Sequence, residues 1–224
     1  MKKTLLITAA LTAITGAAQA QDLAATFGFT DMGANWNAGT NVLLVSADEN
    51  NTISTSGDLT NYLGESFPTT ALFNSGFADG STSADSEFEM TLSNITATSA
   101  DATGSFTVTD INGDTLSGSY IGTWTNQFGF GFFDAEITIA NYSDGTEAGN
   151  EVFEGNAGQT FVIPSEPMNG GLSMLLQMPE WFDSQNGNFN ARTTQLDGIL
   201  VNVPTPGSLA LLGMGGALVS RRRR

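Results

Sequence analysis

The chain has 224 residues, 23 of them acidic and 7 basic, with no histidine and no cysteine. This composition removes Ser-His-Asp triads, imidazole and thiolate metal sites, disulfides and thiolate nucleophiles. Six of the seven bases stand at the two ends, so Gln21–Asn202 sets 23 acids against one base, Arg192, a net of −22. Such a surface repels phosphate backbones, which excludes nucleic acid as a partner, and it attracts divalent cations.

In chain order, the first element is an export signal over residues 1–20. Lys2 and Lys3 make a charged start, and Leu5–Ile14 is an apolar run too short to span a bilayer. Ala18 and Ala20 form a small-x-small cleavage site, which implies signal peptidase as a partner and a mature start at Gln21. The span 21–202 then reads as one acidic domain. Alternation of period two marks Asn41–Ser46, Glu87–Ser93, Ser105–Asp110, Thr115–Trp124, Ala135–Asn141 and Gly198–Val203 as strands. Asp58–Glu65 reads as one or two helical turns with Asp58 as N-cap. Leu172–Met178 fits either a buried strand or a short helix, and strand is the preferred reading.

Within Ser105–Trp124 the sequence Ile111-Asn112-Gly113-Asp114 interrupts the alternation. Asn-Gly suits a turn whose central residues take positive φ, so this stretch is expected to be a β-hairpin. With turn clusters throughout and no 20–50-residue repeat, the predicted fold is all-β: a single antiparallel two-sheet sandwich, with a jelly roll as one arrangement of it.

Three groups of residues could carry chemistry. Asp110, Asn112 and Asp114 occupy the first three ligand positions of an EF-hand-like calcium loop. However, Thr115 stands where the loop needs glycine and Ile121 where it needs a bidentate carboxylate. A hairpin turn explains the same residues without a metal, and calcium is the alternative. Asp85, Glu87 and Glu89 project from one strand face, either as an ordinary polar face or as the carboxylates of a glycoside hydrolase. Trp36, in the Gly/Asn-rich MGANWNAG, is the first candidate for stacking on a sugar; Trp181 is a lesser one and Trp124 reads as packing.

The last 22 residues form a separate unit, 203–224. Pro204, Thr205, Pro206 and Gly207 precede an apolar segment, 208–220, and the chain closes on Arg221, Arg222, Arg223 and Arg224. As a helix the 14 residues Gly207–Ser220 would span about 21 Å, short of the ~30 Å hydrocarbon core, with the arginines held on the cytoplasmic side. These residues resemble the PEP-CTERM sorting signal of exported bacterial proteins, with Thr205 in place of the name-giving glutamate. The resemblance implies transient membrane insertion and recognition by an exosortase-type sorting enzyme. It also implies delivery to the cell surface or an extracellular polysaccharide matrix. The expectation is therefore an exported, non-enzymatic, structural or adhesive protein. A carbohydrate-binding module is the alternative, and a glycoside hydrolase the third reading.

Overall fold

A computed structural model describes residues 22–50, 53–64, 67–74, 85–143, 145, 152–165, 167–182 and 187–203. The chain divides into two units, and all strands belong to the unit Leu23–Asn202. The expected signal peptide with Ala18 and Ala20, and the segment from Pro204 to Arg224 that resembles a sorting signal, lie outside the described residues.

Among the described residues there is no helix. The strands are β1 (Leu23–Thr30), β2 (Gly33–Asn37), β3 (Val42–Ser46), β4 (Glu49–Asn50) and β5 (Ile53–Ser54). Next come β6 (Ser56–Asn61), β7 (Thr69–Phe73), β8 (Asp85–Ser93), β9 (Ser99–Thr109), β10 (Thr115–Gln127) and β11 (Phe130–Ser143). The last are β12 (Val152–Glu154), β13 (Ala157–Gly158), β14 (Thr160–Val162), β15 (Met168–Gln177) and β16 (Phe189–Asn202).

The all-β expectation holds, and the two-sheet sandwich is corrected to a closed barrel. Eight strands, β2, β3, β8, β9, β10, β11, β15 and β16, pair antiparallel in a ring. Closure depends on β16, whose residues Phe189–Arg192 pair with β2 while Leu196–Val201 pair with β1 along the same edge. From β1 the sheet branches outward through β6, β7 and β13. The helical reading of Asp58–Glu65 is also corrected: Asp58 lies in β6, hydrogen-bonded between β1 and β7, so sheet pairing on both edges overrides the N-cap signal.

The interior is aromatic. Inward alternation places Phe88 on β8, Phe106 on β9, Tyr120 and Trp124 on β10 and Phe133 on β11, all buried. Rings run in contact from Phe161 and Phe153 (5.4 Å between centroids) through Phe27 and Phe106 (5.5 Å) to Trp124 and Phe133 (4.9 Å) and on to Phe182 and Trp36 (5.1 Å). Several rings pair across strands with glycine: Phe106 with Gly118, Tyr120 with Gly104, Phe27 with Gly198 and Phe29 with Gly57. Each glycine leaves the space in which its partner ring lies.

The expected hairpin is present as β9–β10, with Thr109 opposite Thr115. Its turn differs from the expected one, since Gly113 has φ +93° and Asn112 does not take positive φ. The connection spans Asp110–Asp114 and closes through Asp110 N donating to Asp114 O at 2.8 Å. The tight two-residue turn stands instead between β10 and β11, where Phe128 (φ 55°) and Gly129 (φ +83°) are both left-handed.

Candidate functional site

The site that emerges is a groove of about 180 Å³ on the outer face of β11, β15 and β16. Alternation turns Phe133, Met174 and Leu196 into the core, so the residues between them face solvent. Two cross-strand rows build it. Phe132, Leu175 and Gln195 pair in one row, and Asp134, Ser173 and Asp197 in the next. Ser173 is the low point between two carboxylates, and the row beyond it has Gly171 at the same place on β15.

The groove mixes apolar and hydrogen-bonding surface. Phe132 is 37% exposed, unlike the interior rings, and Leu175 sits beside it. Gln195 Nε2 donates to Asp197 Oδ2 at 2.5 Å, which fixes the direction of that carboxylate. On the far side of Asp197 lies Gly28, and beyond it Asp58. Partial burial holds the Asp58 carboxyl above its usual range; the hydroxyl of Thr60 at 3.5 Å opposes this shift and the negative charge of Asp197 adds to it. Apolar surface with a few fixed polar groups is the character of a small-ligand site.

The residues singled out in the sequence lie elsewhere. Trp36 is 2% exposed, an inward residue of β2 with its indole nitrogen buried and without a hydrogen-bond partner among the described residues. It cannot offer a face to a sugar, which corrects that assignment: Ala34 and Trp36 alternate inward while Asn35 and Asn37 face out. Trp124 is packing, as expected, with Nε1 donating to Met90 Sδ at 3.1 Å. Trp181 is half-buried against Phe182, and its Nε1 donates to Thr96 O at 2.6 Å. Asp85, Glu87 and Glu89 face outward on β8, opposite Thr109, Thr107 and Ser105, away from the groove.

Asp110, Asn112 and Asp114 are brought together, but around the protein's own amides. Asp110 Oδ1 accepts from Asn112 N (2.7 Å) and Asp114 N (2.9 Å), while Oδ2 accepts from Glu154 N (2.8 Å). Asn112 Nδ2 donates to Glu154 Oε2 at 2.9 Å, and Gly145 N donates to Asp114 Oδ1. Both aspartates are buried, and the cluster clamps β12 onto the β9–β10 turn. Among the described residues no three acidic side chains converge as a metal site.

Sequence reasoning missed Phe132, Ser173, Gln195 and Asp197. The one local signal is the run of small residues Gly170, Gly171 and Ser173 ahead of the bulky end of β15.

Fold and groove together define a closed eight-stranded antiparallel barrel with a branched sheet, a filled interior and an outward-facing groove. Comparison with family models, curated proteins and solved structures finds no match.

Proposed function

We propose that this is an exported, non-enzymatic adhesive protein of the cell surface or extracellular matrix, and that its barrel holds a neutral glycan unit in the outer groove. The groove is the observation that carries this reading. Phe132 and Leu175 offer apolar surface to the C–H face of a sugar ring. Asp134, Ser173, Gln195 and Asp197 offer acceptors and donors to its hydroxyls. The net charge of −22 over Gln21–Asn202 disfavours a polyanionic ligand, so the glycan is neutral. The terminal segments supply delivery on this reading, with export directed by residues 1–20 and sorting by a PEP-CTERM-like tail and an exosortase-type enzyme. On this reading calcium bridges exposed carboxylates, since backbone amides already occupy the Asp110 oxygens.

A neutral glycan array tests this. Ser173→Leu would fill the groove floor with an outward side chain and remove binding while leaving the melting temperature near that of the parent. Binding retained by this variant would count against the groove.

A further inference from the structure

Resting on the adhesive reading above, we infer that one end of the barrel docks a second copy of this chain, tip to tip through Phe128. Phe128 and Gly129 form the turn between β10 and β11. The ring is 99% exposed on a backbone with φ 55°, a left-handed position that asparagine or glycine enters more readily. Neither burial nor backbone geometry accounts for a phenylalanine there. Strain of this kind persists where a binding role retains it.

The turn stands on a connected platform. The same end of the barrel carries the connections between β2 and β3 (38–41), β8 and β9 (94–98) and β15 and β16 (178–188). Trp181 Nε1 donates to Thr96 O at 2.6 Å, Asn126 N to Thr98 O at 2.9 Å and Ala38 N to Asn188 Oδ1 at 2.9 Å. Phe182 packs on Trp36 and Trp124 in the core behind them. These bonds fix the turns before a partner arrives, so little order is lost on docking.

Charge and chain direction select the partner. The connections at this end, the Phe128 turn included, hold two acids, Glu180 and Asp183. Those that leave the opposite end, 47–84, 110–114 and 144–167, hold twelve. With a net of −22 over Gln21–Asn202, two copies repel through most of their surface and least through the Phe128 end. Leu23 pairs with Val201 and β16 finishes at Asn202, so the domain starts and finishes at the acidic end. A two-fold contact between Phe128 ends therefore leaves the acidic ends of both copies pointing apart, the geometry that joins two separately anchored molecules. One set of turns buries less than a standard interface, so a single contact is weak and adhesion comes from many copies.

Sedimentation velocity of the full chain over a concentration series tests this. Reversible dimers are expected, and added salt should favour them by screening the repulsion between copies. Phe128→Asn should weaken association about tenfold or more and raise the melting temperature, because asparagine suits the left-handed position. Gln127→Glu, which sets an added charge beside Phe128 in each copy, should weaken association too. Neutral-glycan binding by the same preparations is expected to be unchanged, so the tip and the groove fail separately. Undiminished association by Phe128→Asn, or a parent that stays monomeric at every concentration and salt, would overturn the second copy. Phe128-dependent binding of a monomeric parent to phosphatidylcholine vesicles would overturn it in favour of a lipid surface.

Discussion

Gly198 faces the ring of Phe27 across β16 and β1, and a methyl group there would overlap the ring. Gly198→Ala is therefore expected to destabilise the barrel by about 1–3 kcal/mol, the usual cost of overpacking, measurable by urea unfolding. Asp58 makes a second prediction at this scale. Its pKa is raised above the usual 3.8, chiefly by burial, so the protonated form is the one the fold favours. Its contribution is fully present below the unfolded value and is lost as pH rises through the raised folded value. Asp58→Asn should raise the melting temperature at pH 7, and the gain should vanish below about pH 3.8. Asn112 shows the limit of residue-level reading. Asn-Gly signalled a turn, and a turn is there, but Asp110 organises it by taking three backbone amides.

At the scale of elements, Asp110 joins two pieces of the chain that alternation cannot connect. Asp110→Asn keeps one acceptor oxygen but sets an NH₂ against the amide of Glu154. A loss of about 2 kcal/mol is expected, with faster hydrogen exchange at Glu154 as the local readout. Strands were legible where alternation is strict, as in Glu87–Ser93, which falls in β8, and Ser105–Asp110, which follows β9 to its end at Thr109. They were hidden where inward residues are small or flanked by turn formers. β2 is such a case, its Gly33, Asn35 and Asn37 reading as a loop around Trp36. Asp58 misled in the same way, because a capping residue before Leu59 looks like a helix start until both neighbouring strands are known. Phe128 is the converse: a bulky, 99% exposed residue in a left-handed turn position that Asn usually fills, which no composition rule anticipates.

For the whole molecule, closure was the illegible step. It requires β16 to meet β2 across more than 150 residues, and no local pattern encodes that pairing. The candidate site was illegible for the same reason, since Phe132, Ser173 and Asp197 come from three separate strands and meet only through register. What alternation did establish is that one face of each strand is apolar; closure then gathers those faces inward and leaves the polar residues on the outer face. Glycan binding in the outer groove depends on that division between inside and outside. Amide chemical-shift mapping of the barrel during titration with a bound neutral oligosaccharide tests it most directly. The predicted shifts fall at Phe132, Ser173, Gln195 and Asp197, with the indole signals of Trp36 and Trp124 unmoved. Shifts centred on those two indoles, with the outer row silent, would contradict it.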